Sequence, residues 1–316
     1  MFSIIIPLYN KAPYVEKAIQ SVLAQTCQKF ELIVVDDGSK DNSLEIVQRF
    51  KDSKIQIIRQ KNSGVSTARN NGVKVARYNY IAFLDADDWW DIRFLEEIKA
   101  LTLTYPEAVM YGSSYYIVKN GKNKIAPIAL PQNFKSGYID YIKTYAERLC
   151  MPITSITAVV KKDVFNEMHG FKPALKLGED FDLWLRIALK YKVALLNKPL
   201  AYYNQDVEQQ NRAVGNLHKP ENHMLWHLDE FEKQAGKTPY LKQLLDNLRV
   251  KGMFKYFLRH EYRALALEEL KKVDWSKQPK STKERYEKPV WYLKLKYKIP
   301  KMVYNYKTFL IKCLRK

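Results

Sequence analysis

Short apolar runs alternate with stretches of helical spacing over the first third of the chain. Ser3–Ile6, Glu31–Val35, Lys54–Ile58 and Tyr80–Leu84 are rich in isoleucine, valine and phenylalanine, and each predicts a buried strand. Between them, Tyr14–Ala24, Asn42–Phe50 and Val65–Ala76 place apolar residues three and four apart, which predicts helices. Strand, helix, strand repeated in this way predicts an α/β fold, a mostly parallel sheet with helices on both faces. In such sheets ligands bind beyond the carboxyl ends of the strands. Polar residues gather there: Tyr9-Asn10 after the first run, Asp36-Asp37-Gly38-Ser39 after the second, and Asp85-Ala86-Asp87-Asp88 after the fourth.

From Met110 to Asn204 the pattern is less regular. Tyr115–Val118 and Lys124–Ile128 flank Lys119-Asn120-Gly121-Lys122, a hairpin signal. Thr157–Val160 and Val193–Leu196 predict further strands, with a helix over Glu179–Lys190 between them. From about Pro220 the pattern is helical, without strand punctuation, and increasingly basic and aromatic. The main boundary is therefore drawn at His218–Pro220. It separates residues 1–218, themselves divided near Tyr111 into 1–111 and 112–218, from a helical region 219–316.

Composition narrows the class. A hydrophobic share of 47% over 316 residues is ample for a folded core. Cys27, Cys150 and Cys313 are odd in number and far apart, unlike a disulfide framework or a zinc site, and point to a reducing, cytoplasmic setting. The start of the chain reads as no secretory signal, since its apolar run lacks a basic leader and stops at Pro7. No apolar run reaches the roughly 18 residues of a membrane-spanning helix. The formal charge of +19 calls for an anionic partner: nucleic acid, anionic lipid or a phosphorylated substrate.

Two acidic clusters suggest chemistry. Asp85 and Asp87 emerge just past a buried strand, where carboxylates bind a hard cation; magnesium or manganese there would neutralise a leaving diphosphate. The plain alternative is a turn. Asp41 or Ser39 has the look of a helix cap, but a cap does not explain the adjacent pair Asp36 and Asp37. Gly178-Glu179-Asp180 opens a helix, where carboxylates also serve as dipole partners.

Taken in order, Pro7-Leu8-Tyr9-Asn10, Val35-Asp36-Asp37-Gly38-Ser39, Asn62-Ser63-Gly64 with Ala68-Arg69-Asn70, Phe83-Leu84-Asp85-Ala86-Asp87-Asp88, and Gly178-Glu179-Asp180 with Trp184 resemble the family 2 inverting glycosyltransferases of bacterial surface-polysaccharide type. The resemblance covers about residues 1–210 and implies the GT-A fold, a Rossmann-like sheet flanked by helices. It also implies roles. Pro7, Tyr9, Asp37, Gly64, Arg69, Asp85, Ala86 and Asp87 fall on the nucleotide-sugar side, with Tyr9 stacking on the base and Asp37 reading the uracil edge. Asp85 lies near the ribose, and Asp87 binds Mn2+ or Mg2+ and through it the diphosphate. Asp180 matches the catalytic base, with Glu179 and Trp184 on the acceptor side. For Arg69 a solvated helix charge remains open, for Gly64 a plain loop, and for Trp89 and Trp90 either an acceptor platform or core packing.

The partners implied are a UDP-sugar and a saccharide or lipid-linked saccharide acceptor. Single displacement at an anomeric carbon itself requires a positioned carboxylate to take the hydroxyl proton. Lysines 294, 296, 298, 301, 307, 312 and 316, with Arg315, alternate with Trp291, Tyr292, Tyr297, Tyr304, Tyr306 and Phe309. That composition over residues 291–316 suits an anionic membrane surface, placing the protein peripherally on the inner face of the cell membrane. A hairpin packed on the catalytic region is the alternative. No nucleic-acid module accompanies the basic stretch, so nucleic acid is not expected as a partner. Two other functions compete: a sugar-phosphate nucleotidyltransferase, which would want a glycine-rich loop where Pro7-Leu8-Tyr9-Asn10-Lys11 has none, and a non-catalytic membrane or nucleic-acid adaptor.

Overall fold

A computed structural model describes residues 1–208 and 217–296. The chain divides into two compact units, Met1–Leu244 and Leu245–Lys316. Among its described residues the first holds ten strands: β1 (Phe2–Leu8), β2 (Phe30–Asp36), β3 (Ile55–Arg59), β4 (Tyr80–Phe83), β5 (Trp89–Trp90), β6 (Ala108–Lys119), β7 (Lys122–Ile125), β8 (Ser136–Ile139), β9 (Val159–Lys161) and β10 (Lys192–Asn204). They form one sheet in the order β3-β2-β1-β4-β9-β6-β10-β5, with β7 on β6 and β8 on β10.

The β3-β2-β1-β4 half is parallel throughout. Its central strands are buried on both faces, as shown by Ile4, Ile5 and Ile6 and by Leu32 through Val35, all without exposure. Each such side chain contributes about 1.5–3 kcal/mol. The second half is mixed, because β9 runs antiparallel to both β4 and β6 while β6 and β10 run parallel. The short runs thus predict the parallel half closely, whereas Val193–Leu196 lies near the start of a strand thirteen residues long.

Among the described residues the helices α1 (Val15–Leu23), α2 (Ser43–Gln48), α3 (Val65–Val75), α4 (Phe94–Thr104), α5 (Tyr141–Arg148), α6 (Lys162–Glu167) and α7 (Glu179–Ala188) accompany this sheet. Helix α3 lies against β1 so closely that a Cβ on Gly72 would come within 2.5 Å of Ile5 Cγ2. The turn between β6 and β7 is made by Asn120 and Gly121, both at positive φ (52° and 67°), the conformation an Asn-Gly pair favours. Asp206 fixes it by accepting hydrogen bonds from both backbone amides.

Beyond the sheet come α8 (Asp229–Ala235) and α9 (Leu241–Gly252), and the division into units falls inside α9. The division lies later than the change in sequence character at residues 218–220, because Leu177 pairs with His223 and accepts the Met224 amide, tying residues 222–224 to the segment before α7. The second unit continues through α10 (Phe254–Phe257), α11 (His260–Lys271) and α12 (Lys280–Glu287). Within it, Arg249 is fully buried and pairs with Glu269 at 3.1 Å. No helix among the described residues is long and apolar enough to cross a membrane. Of the basic tail 291–316, residues 297–316 lie outside the described residues.

Candidate active site

Strand β1 lies between β2 and β4, so the chain leaves the sheet in opposite directions on either side of it. A crevice at the carboxyl edge follows from that order, and the acidic clusters meet there. Asp37 follows β2 and is 4% exposed. Its Oδ1 accepts hydrogen bonds from Gln60 Nε2 and the Ser63 amide, both at 2.7 Å, and its Oδ2 accepts from the Gly64 amide at 2.9 Å. The carboxylate therefore clamps the loop that opens α3. Gly64 stands at the N-cap of α3 with φ 90°, a conformation glycine adopts without strain. Pro7 is a β1 residue paired with Val35 of β2, and Tyr9, just past β1, is 40% exposed at the edge. Asn10 shares the turn through its side chain, which accepts from the Lys40 amide.

Arg69 is on α3 but is no solvated charge. It is buried, and its guanidinium bridges Asp85 at 2.6 Å and Glu179 at 2.8 Å. The ring of Phe171 lies 5.2 Å beneath it. Burial works against the guanidinium charge, yet Asp85 and then Glu179 outweigh it and raise its pKa above the ordinary value. One cation thereby joins a carboxylate after β4 to a carboxylate at the start of α7.

Glu179 and Asp180 open α7 behind Gly178, whose φ of 81° turns the chain into the helix. Burial, reinforced by the charge of Asp180 and opposed by Arg69, pushes the Glu179 carboxyl up to about 7. Asp180 accepts from Ser155 Oγ at 3.1 Å and from the Phe181 amide at 2.8 Å. Burial raises its pKa too, against the pull of Arg69 and of these hydrogen bonds. Trp184 does not reach the acceptor side: it is fully buried, packed on Phe83 and Phe171, with its indole nitrogen unpartnered. Trp184 lies five residues past Glu179 and four past Asp180, and packing on Phe83 and Phe171 takes its side chain into the core.

Ala86 is buried, while Asp85 and Asp87 remain partly open. Lys11 Nζ lies 2.6 Å from Asp87 Oδ2. Burial raises the Asp87 carboxyl, and Lys11 counters it. An ammonium thus already sits on the carboxylate expected to hold a metal. Among the described residues no group of three or more His, Cys, Asp or Glu side chains encloses an ion. The set fits magnesium or manganese bound by one or two carboxylates, with diphosphate and water completing the shell. Asp88 faces inward, accepting from the Asn204 amide at 2.6 Å, and burial raises it far above the ordinary carboxyl range.

The two tryptophans divide. Trp90 is core, stacked on Phe94 with its Nε1 donating to the Ile156 carbonyl. Trp89 is half-buried and stacks on Tyr202 at 5.3 Å, which in turn stacks on Tyr116. Lys11 and Ser155 are contacts of the candidate residues that sequence reasoning missed, and Asp88 is quoted there within its motif but given no role. Lys11 follows β1 as Asp87 follows β4, and only the adjacency of those strands brings the two together.

The model of the family described as Glycosyl transferase family 2 matches residues 3–167. An uncharacterized glycosyltransferase of Rickettsia felis is 33% identical over 209 residues, 63% of this chain and 32% of that protein. The chain therefore spans about a third of that relative's length. WfgD of Escherichia coli, a UDP-Glc:alpha-D-GlcNAc-diphosphoundecaprenol beta-1,3-glucosyltransferase, is 32% identical over 198 residues, 62% of this chain and 73% of the relative. Among solved structures, S. aureus TarS 1–349 in complex with UDP-GlcNAc matches with a TM-score of 0.70 at 20% identity, over 85% of this chain and 79% of that one. At that identity the likeness is one of fold.

Proposed function

The chain belongs to glycosyltransferase family 2, and we propose that it moves a sugar from a UDP-sugar to a hydroxyl of a saccharide or lipid-linked saccharide, with inversion at the anomeric carbon. The observation that carries this reading is the Arg69 bridge, which gathers Asp85 and the Glu179-Asp180 pair at one edge of the sheet. One buried guanidinium thereby holds the proposed donor carboxylate Asp85 and Glu179, the sequence neighbour of the candidate base Asp180. The UDP-sugar chemistry in the names of WfgD and of the TarS complex supports the choice of nucleotide.

In this reading Tyr9 stacks on the base, and the loop that Asp37 clamps presents its Ser63-Gly64 backbone and Asp37 to the uracil edge. Asp85 meets the ribose and Asp87 holds the cation. A bound Mn2+ or Mg2+ supplies charge neutralisation for the departing diphosphate. The acceptor oxygen attacks the anomeric carbon as the bond to the diphosphate breaks. The bonding pair leaves on the diphosphate oxygen, and the hydroxyl proton passes to Asp180. Ser155 and the Phe181 amide fix the carboxylate for that task.

Binding and hydrolysis of a panel of UDP-sugars and GDP-sugars, with and without manganese, tests the proposal. Metal-dependent turnover of at least one UDP-sugar is expected. Full activity in chelator would overturn the Asp87 assignment, and exclusive use of GDP-sugars would overturn the uracil reading.

A further inference from the structure

A cavity of about 460 Å³ opens beside Asp87, between the start of α1, β5 and the β6–β7 hairpin. Tyr14, Lys17, Trp89, Asn123 and Asn204 line it together with Asp87. Its walls are fixed. The Trp89 ring is backed by Tyr202 and Tyr116, the hairpin turn is held by Asp206, and the Asn204 amide is held by Asp88. A flat ring with amide and phenol groups around it is a typical lining for a sugar.

One group in it lacks its natural partner. Lys17 forms no ion pair with a carboxylate among the described residues, and its ammonium rests 3.0 Å above the centre of the Trp89 ring. The neighbouring Lys11 is already matched to Asp87. The cavity therefore offers a cation resting on an aromatic ring, while its two carboxylates are engaged elsewhere, Asp87 with Lys11 and Asp206 with the Asn120 and Gly121 amides. An anion entering the cavity would exchange the cation–π contact for a charge-assisted hydrogen bond. The same movement would uncover the ring for the C–H face of a sugar.

We propose that this cavity is the acceptor subsite and that it takes an anionic saccharide, with Lys17 on the phosphate or carboxylate and Trp89 beneath the sugar ring. The inference rests on the transferase reading but concerns the acceptor alone. Charge next to the sugar could come from a diphosphate linking it to a lipid or from a uronate, and the two are separable by experiment.

Isothermal titration of the full chain, saturated with UDP, tests the proposal against three sets of probes: hexosyl and N-acetylhexosaminyl diphosphates on a short alkyl chain, alkyl hexuronides, and the matching neutral alkyl glycosides. An anionic member is expected to bind about tenfold or more tighter than its neutral counterpart. Lys17→Gln should remove that preference, and Trp89→Leu should weaken both forms. Unchanged UDP affinity in each variant reports that the fold is intact. Equal binding of charged and neutral probes, no binding by any probe, or an unaltered preference in Lys17→Gln would each overturn the proposal. Probe binding to the UDP-free chain that disappears on saturation with UDP would also overturn it, and would assign Lys17 to the donor diphosphate. None of these outcomes touches metal-dependent use of a UDP-sugar, on which the transferase reading stands or falls.

Discussion

Asp180 and Glu179 are neighbours in sequence with different surroundings. Asp180 is held by a hydroxyl and an amide, while Glu179 leans on Arg69. If Asp180 is the base, Asp180→Asn keeps the shape of the site and removes the proton acceptor. Transfer should fall about a hundredfold or more, with affinity for the UDP-sugar within about twofold of wild type. Equal losses in both would make Asp180 structural. Glu179 carries a different signature. Its carboxyl has an ordinary value of 4.5 and is raised to about 7 in the folded protein. Between those values the folded state holds more protons than the unfolded one, so this group's contribution to stability falls as pH rises through the window. Glu179→Gln removes that titration. The variant's unfolding free energy should gain on the wild type from about pH 5 to about pH 7. Denaturant titrations across that range measure it, and a constant difference would show that Glu179 titrates normally.

At the level of elements, the carboxylate pair is placed by how α7 begins. Gly178 has φ 81°, and a Cβ there would approach Met224 Cβ to 2.7 Å. Gly178→Ala combines backbone strain with a clash, at a cost of roughly 1–3 kcal/mol. Gly121→Ala is the comparison, since Gly121 also has positive φ but nothing lies within 4 Å of its Cβ. Gly178→Ala should lower the denaturation midpoint more than Gly121→Ala and also lower kcat, and similar losses would mean that the Met224 contact is soft. The elements themselves were legible because buried strands read as continuous apolar runs and helices as three-four spacing. Strands such as Glu31–Val35 and the Asn120-Gly121 turn follow from local rules. What joins them is not local. Lys11 meets Asp87 across 76 positions, and Arg69 meets Glu179 across 110. Nothing in either segment announces its partner, because strand order is set by packing over the whole sheet. Trp184 shows the reverse limit: its place in the motif series suggested the acceptor side, while its packing on Phe83 and Phe171 commits it to the core.

At the scale of the molecule, the +19 charge is the feature that the proposed active site does not use up. That site is rich in carboxylates, so the excess lies elsewhere, and much of it falls late in the sequence. There Trp291 and Leu295 are 67% and 51% exposed, and Lys294 and Lys296 are exposed beside them. Exposed rings next to lysines match the interface of an anionic bilayer, where each basic residue near the surface contributes about 1 kcal/mol. A lipid-linked acceptor would make such a surface the place of work. The full chain should therefore sediment with vesicles containing phosphatidylglycerol and not with pure phosphatidylcholine vesicles. About 0.5 M salt should release it, because a Debye length near 10 Å at 0.1 M shrinks as salt rises. Truncation after Pro289 should weaken sedimentation while leaving UDP affinity unchanged. Equal binding to neutral vesicles would assign the contact to apolar insertion alone, and a truncated chain that sediments as well as the full one would remove the tail from the membrane altogether.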